Sequence, residues 1–168
     1  MELENNIEIL VRYITDNNYM GYDPYDIKGE KMFIDLLSSD NLITKIKKRI
    51  LLSIVNMFPV LSRKHFKIKK SINFKALGLI LTSFAKLYKV TKNNYYLDKS
   101  YEVANILEIN YNKKYNGKSW GYPFDWQSRI FIPKYTPSSV VSYHVGEGFY
   151  ELYKITQEKK FLNICEEI

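Results

Sequence analysis

Apolar side chains recur every three or four positions through most of this sequence, and this period predicts a protein built from helices. Asp40 and Asn73 are predicted to cap the third and fourth helices. Pro59 is predicted to stop the third, and Thr136 with Pro137 to open the sixth. The predicted helices cover residues 3–16, 31–37, 43–58, 74–90, 94–110, 138–155 and 158–168.

Two segments depart from an ordinary amphipathic pattern. Residues 74–90 are apolar almost all round, which predicts a helix that is buried on both sides. Between residues 113 and 137 the helical period disappears, and residues 129–133 are predicted to form a short strand.

The chain contains an internal repeat. Residues 84–103 align without gaps on residues 149–168, with seven identities in twenty positions. The shared pattern is the end of one helix, a turn opened by Thr91 or Thr156, and the start of the next helix. This pattern predicts a repeated helical hairpin, although two unrelated hairpins could share it by chance.

Hairpins that alternate a nearly apolar helix with an amphipathic one are typical of an α/α toroid. The predicted fold class is therefore all-α, with residues 1–168 forming one domain of about three hairpins of an (α/α)6 toroid. Six such hairpins need about 300 residues or more, so the ring cannot close at this length. The end at Ile168, inside a helix without a cap, favours a C-terminal truncation; a second copy or partner completing the ring is the alternative.

Composition narrows the choice of partner. With 25 Lys and Arg against 18 Asp and Glu, the formal charge is +7, so we considered nucleic acid and anionic surfaces. The basic runs at residues 45–49 and 63–70 lack interleaved aromatic residues, and a solvated face is favoured over an anion-binding one. No nucleic acid partner is predicted.

The single cysteine, Cys165, excludes an internal disulfide and a cysteine zinc site, and it fits a reducing compartment. The start is acidic where a signal peptide would be basic, and no apolar segment approaches the roughly 20 residues of a membrane span. A cytoplasmic location is therefore predicted.

The loop over residues 120–129 concentrates side chains suited to sugars. Flat aromatic faces cover pyranose rings, while carboxylate, amide and guanidinium groups bond hydroxyls or an acidic substituent. An alternative with equal weight is that the aromatic rings plug the end of a helical barrel while Asp125 pairs with Arg129. The candidate residues are Trp120, Tyr122, Asp125, Trp126, Gln127 and Arg129.

Two further groups are candidates. Asp23 and Asp26, beside Tyr22 and Tyr25, could act as paired carboxylates, although a turn with Asp26 as a cap is favoured. His144 and Glu147 lie three residues apart on a helix and could face a cavity. A hydrogen-bonded core role for His144 is favoured over proton transfer and over a metal site, so neither a metal nor a cofactor is predicted.

The sequence resembles a known family through three stretches: Trp-Gly-Tyr-Pro-Phe-Asp-Trp-Gln-Ser-Arg at 120–129, Ile-Pro-Lys-Tyr-Thr-Pro at 132–137, and Gly-Tyr-Asp-Pro-Tyr-Asp at 21–26. The family is that of exopolysaccharide-biosynthesis proteins built on the six-hairpin glycosidase-like toroid. A glycine usually stands there where this sequence has Tyr135. The resemblance implies a role near cell-surface glycan assembly or modification.

The predicted function is a carbohydrate-active or carbohydrate-binding protein whose partner is an oligo- or polysaccharide. In a catalytic version, Asp125 is the general acid or base at a glycosidic or uronic-acid carbon, and Asp23 or Asp26 is its partner. Gln127 and Arg129 then hold the substrate. The alternative is a non-catalytic helical-repeat scaffold that binds a protein partner.

Overall fold

The computed structural model describes residues 2–38 and 41–168 and is mostly helical, which confirms the all-α class. The α-helices are α1 (Glu2–Asp16), α2 (Lys31–Ser38), α3 (Leu42–Met57), α4 (Pro59–His65), α5 (Phe74–Thr91), α6 (Asn94–Ile109), α7 (Ser139–Thr156) and α8 (Lys159–Glu166). The strands are β1 (Met20–Gly21), β2 (Ser71–Ile72), β3 (Trp126–Gln127) and β4 (Phe131–Ile132). The predicted cap Asp40 lies outside the described residues.

The chain groups into two compact units. The first comprises residues 1–71 and 123–134, and the second comprises residues 72–122 and 135–168. The single domain of about three hairpins stays a prediction.

The first unit is built around a small core beneath α3. Ile27, Phe33 and Val55 are its buried members. Phe33 meets the ring of Phe66 edge-on, with centroids 5.4 Å apart, a geometry that aromatic pairs favour. Leu51, Leu52, Phe66 and Ile68 pack around these residues.

Pro59 follows the end of α3, as predicted, and has a second role as well. It occupies the first turn of α4, and Phe58 is the residue between the two helices. Proline suits this position because its missing N–H would have no partner in a first turn. The structure therefore has a helix, α4, where the sequence predicts none.

In the second unit, α5 packs most extensively against α7, and glycines allow the close approach. A Cβ on Gly78 would lie 2.5 Å from the carbonyl oxygen of His144, and one on Gly148 would lie 2.9 Å from the carbonyl oxygen of Gly78. Only the absence of side chains at these positions lets the two backbones come so near.

The predicted repeat is present in the geometry of two hairpins, α5–α6 and α7–α8. Lys92 and Gln157 end the longer helices in the left-handed conformation, with φ of 58° and 59°. The Thr91 hydroxyl accepts a hydrogen bond from the backbone N–H two residues on, and the Thr156 hydroxyl does the same. Equivalent residues thus make the same turn twice.

Two predictions about the longer helices need correction. Thr136 and Pro137 precede α7, which begins at Ser139 with Ser138 as its cap, so the cap lies two residues later than predicted. The buried residues of α5 lie on one side only: Leu77 is inaccessible, whereas Leu79 is 43% exposed. The prediction that this helix is buried on both sides is therefore wrong.

Tyr135 departs from the backbone geometry that most residues adopt. Its φ is 61°, in the left-handed region that favours glycine. Its N–H donates to the carbonyl of Tyr122 at 2.7 Å. A Cβ on Gly121 would lie 2.0 Å from the carbonyl oxygen of Thr136, so this turn depends on Gly121 as well.

Candidate functional site

The first unit brings the two predicted loop segments together. The ring of Tyr25 stacks on that of Trp126, with centroids 5.8 Å apart and planes inclined by 18°. Tyr25 also lies 6.3 Å from the ring of Phe124. Tyr25 and Trp126 are both more than 40% exposed, so this pair of rings forms an aromatic surface open to solvent.

Backbone packing holds these segments against each other. Residues 27–29 form a 3-10 turn, and a Cβ on Gly29 would lie 2.8 Å from the carbonyl oxygen of Asp125. The chain then folds back as an antiparallel pair, in which Trp126 faces Ile132 and Gln127 faces Phe131. The absence of a side chain at Gly29 therefore allows the backbone of Asp125 to lie this close to residue 29.

A cleft of about 200 Å³ lies beside this surface, within the first unit. It is lined by Asp125 and Asp26, which are the chain neighbours of Trp126 and Tyr25. Carboxylates and amines next to exposed rings can bond hydroxyl groups while the rings cover an apolar face. The polar side chains that line the cleft are Asp26, Glu30, Lys69, Ser71, Asp125 and Lys134.

Asp26 is held by its surroundings. Its carboxylate caps the 3-10 turn by accepting from the N–H of Ile27 at 2.7 Å and accepts another hydrogen bond from the N–H of Asp23 at 3.2 Å. Arg63 completes the set with an Nε–Oδ2 distance of 3.0 Å. These contacts favour the turn and cap interpretation of Asp26, because both of its oxygens already have partners.

Asp23 has a similar local role. Its carboxylate accepts from the backbone N–H of Tyr25 at 2.8 Å, which is the hydrogen bond of an Asx turn. Its backbone carbonyl accepts from Arg63 at 2.9 Å. Arg63 also lies over the ring of Tyr22, 4.9 Å from the centroid. Arg63 therefore ties the whole Tyr22–Asp26 segment to α4.

Asp125 is the second aspartate that lines the cleft. Its Oδ1 accepts from the backbone N–H of Lys134 at 2.6 Å and so closes the β3–β4 hairpin. The alternative pairing with Arg129 is not seen among the residues that the structure describes. Arg129 is exposed, and Gln127 donates to the carbonyl of its neighbour Ser128.

Trp120 and Tyr122 belong to the second unit. Trp120 is 1% exposed. Its indole Nε1 donates to the carbonyl of Leu107 at 3.0 Å, and its ring lies 6.4 Å from that of Phe149. Trp120 therefore belongs to the core of the helical hairpins and offers no ring face to a ligand.

His144 and Glu147 lie on α7, in the second unit. Their Nδ1 and Oε2 atoms are 3.5 Å apart, within reach of an ion pair, yet Nδ1 makes no hydrogen bond in the described structure. The ring of Tyr143 meets that of His144 edge-on at 5.2 Å. The two side chains are partly exposed, and their predicted position at a cavity stays a prediction.

Three charged lining residues, Glu30, Lys69 and Lys134, were not predicted as site residues, because charged residues in loops are usually solvated. Two of them had a signal in the sequence: Lys69 lies in the basic run at residues 63–70, and Lys134 lies inside the Ile-Pro-Lys-Tyr-Thr-Pro stretch. Tertiary contact alone brings these charges to one cleft.

Within residues 2–38 and 41–168, no group of three or more His, Cys, Asp or Glu side chains is arranged to hold a metal ion. None of the helices described has both the length and the apolar character needed to cross a membrane. In comparison with known proteins, no family model, no curated protein and no solved structure matches this chain.

Proposed function

We propose that this protein binds an oligosaccharide at the cleft of the first unit and acts in surface polysaccharide biosynthesis. The observation that carries the proposal is the stacked pair of Tyr25 and Trp126, each next in the chain to a carboxylate that lines the cleft. Exposed aromatic rings beside hydrogen-bonding groups suit a pyranose ring. The resemblance of these loops to exopolysaccharide-biosynthesis proteins on an α/α toroid points to the same class.

The size and charge of the cleft define the ligand further. Its volume of about 200 Å³ accommodates one sugar residue rather than a whole chain. Lys69 and Lys134 line it together with three carboxylates. We infer that the lysines bond an acidic substituent such as a uronate, while the carboxylates accept from hydroxyls.

Binding is the activity that the side chains support best. Asp26 is engaged by Arg63 and by two backbone N–H groups, and a carboxylate fixed in this way is poorly suited to transfer a proton. Asp125 is the candidate acid or base if the site is catalytic. An acid/base role at a glycosidic or uronic-acid carbon stays a proposal for Asp125 alone.

The test is isothermal titration calorimetry of the full chain with acidic and with neutral oligosaccharides. Asp125→Asn removes the charge but keeps an oxygen that can accept from Lys134, and Trp126→Ala removes half of the stacked pair. Both should weaken binding at least about tenfold, since each removes a direct contact worth about 1.4 kcal/mol or more. Asp98→Asn and Tyr115→Ala, both exposed and in the second unit, are the matched controls and should bind normally.

The proposal fails if no oligosaccharide binds, or if the two cleft variants bind as well as the controls do. A different class is then favoured, a helical-repeat scaffold. On α7 the side chains of Val140, Tyr143 and Tyr150 are exposed and lie on one face of the helix, where they could anchor a protein partner. Tyr143→Ser with Tyr150→Ser should then abolish capture of that partner.

A further inference from the structure

Helix α3 is apolar on two faces, and among residues 2–38 and 41–168 side chains pack against only one of them. Leu51, Leu52 and Val55 point toward the core of the first unit. The other face carries Ile43, Ile46, Ile50 and Ile54, which recur at helical spacing and are between 48% and 62% exposed. We call these four residues the isoleucine stripe.

Exposed apolar residues continue through the end of α3 and into α4. Met57 and Phe58 are 70% and 49% exposed, and Val60 and Leu61 on α4 are 76% and 65% exposed. Scattered exposed apolar residues are normal, but a run of this length on two successive helices is not. Such a surface marks a place where something else binds.

The charges around the stripe identify the partner. Lys47 and Arg49 are exposed and, at 100° per residue, lie on the two sides of the stripe. Residues 41–70 contain nine Lys and Arg and no Asp or Glu. The partner must therefore be anionic as well as able to receive aliphatic side chains.

Two other occupants fit this surface less well. In a symmetric dimer the two stripes would face each other, and the cations of residues 41–70 in both copies would surround them with no Asp or Glu of that segment to pair with. Nucleic acid would satisfy the charge, but the isoleucine stripe offers no aromatic ring on which bases could stack. An anionic lipid surface satisfies both requirements, because its headgroups meet the cations while the aliphatic side chains enter the boundary with the acyl chains.

We propose that α3 and α4 form a peripheral docking surface for an anionic membrane, with the isoleucine stripe inserted between headgroups and Lys47 and Arg49 bound to lipid phosphates or carboxylates. This inference does not depend on sugar binding at the cleft.

The experiment measures flotation of the full chain with two kinds of vesicle, phosphatidylcholine alone and phosphatidylcholine mixed with phosphatidylserine. The protein should float with the anionic vesicles, and salt should release it, because screening weakens attraction between surface charges. Ile46→Ser with Ile50→Ser should abolish flotation. Lys47→Gln with Arg49→Gln should lower the affinity for anionic vesicles at least about tenfold.

Matched control variants lie in the second unit. Ile109→Ser replaces an isoleucine that is 63% exposed on α6, and Lys86→Gln with Lys159→Gln removes two exposed cations. Both should float as the unchanged protein does. Circular dichroism should be the same for all variants, because every substituted side chain is exposed.

Three results would overturn the proposal: no flotation with anionic vesicles, flotation that the stripe variant retains, or equal losses in the stripe and control variants. Gel filtration supplies an independent check. A dimer that the stripe variant converts to a monomer would assign this surface to a second copy. Binding of an acidic amphipathic peptide, in the absence of any vesicle binding, would assign this surface to a protein partner instead.

Discussion

Tyr25 and Trp126 lie 101 positions apart in the sequence, yet their rings stack with centroids 5.8 Å apart. Their contact joins the Tyr22–Asp26 segment to the β3–β4 hairpin within the first unit. The cleft and its carboxylates depend on this junction, because Asp26 and Asp125 are the adjacent residues.

Removing one ring of the pair should uncover the other. We expect Tyr25→Ala to increase quenching of tryptophan fluorescence by acrylamide, because Trp126 loses the ring that covers one face while Trp120 stays buried. Tyr13→Ala, at an exposed position on α1, is the control and should leave quenching unchanged. Equal quenching in the two variants would show that Tyr25 does not cover the indole in solution.

Gly29 should tolerate no side chain. Gly29→Ala would place a Cβ 2.8 Å from the carbonyl oxygen of Asp125, so one of the two backbones must shift. We expect a loss of about 1–3 kcal/mol in the free energy of unfolding, the range for overpacked sites. Denaturant unfolding measures it. Gly21→Ala, where no atom lies within 4 Å, is the control, and a similar loss in both variants would contradict the close approach at Gly29.

Trp120 should matter for stability rather than for binding. Trp120→Ala removes a buried ring and should lower the free energy of unfolding by about 3–5 kcal/mol. Trp120→Phe keeps a ring and loses the hydrogen bond to Leu107, so its cost should be nearer 1 kcal/mol, or about that of one hydrogen bond. Trp126→Phe should be close to neutral. Chemical denaturation of the three variants would contradict this order if Trp126→Phe were as destabilising as Trp120→Ala.

The two repeated turns should gain stability from glycine. Lys92 and Gln157 both adopt φ near 60°, where glycine has no Cβ to strain the backbone. Lys92→Gly and Gln157→Gly should each raise the free energy of unfolding by about 0.5–1 kcal/mol, after the greater freedom of glycine in the unfolded chain is allowed for.

The same substitution inside α5 supplies the control for the turns. Lys86→Gly, at an exposed position of the helix, should lower stability by about 0.5–1 kcal/mol. Thermal unfolding compares the three variants. A loss at Lys92 and Gln157 as well would contradict the left-handed geometry of the repeat.

Tyr101 should make the free energy of unfolding depend on pH in the alkaline range. Burial, together with the hydrogen bond that its hydroxyl donates to Glu158, raises the pKa of Tyr101 to about 12. The unfolded chain has a tyrosine pKa of about 10. Because the folded state favours the protonated form, this contribution to stability is complete below pH of about 10 and is lost as the pH rises to about 12.

Tyr101→Phe should remove that part of the alkaline loss, whereas Tyr115→Phe, at an exposed position, should not. Denaturant unfolding across the alkaline range provides the measurement. The pKa of Glu158 is lowered by its hydrogen bonds to Lys160 and Tyr101, so its own contribution should disappear as the pH falls into the acidic range. Identical alkaline profiles for the Tyr101 and Tyr115 variants would exclude the first effect.

The sequence by itself determined the repeat and, among the α-helices described, all except α4. Local spacing of apolar residues specifies which segments are helical, and Asn73 or Thr91 acts on backbone groups a few residues away. For this reason the α5 cap and the hairpin turns were predictable. Pro59 was harder, because a proline that ends one helix can also begin the next.

Only the tertiary structure decided which side chains meet and which are covered. Trp120 and Trp126 belong to one aromatic stretch, yet the first is buried and the second is exposed. The isoleucine stripe has the period of a core face but lies open. Spacing along a helix specifies which residues share a face, but not what lies against that face, because burial depends on contacts between segments distant in sequence.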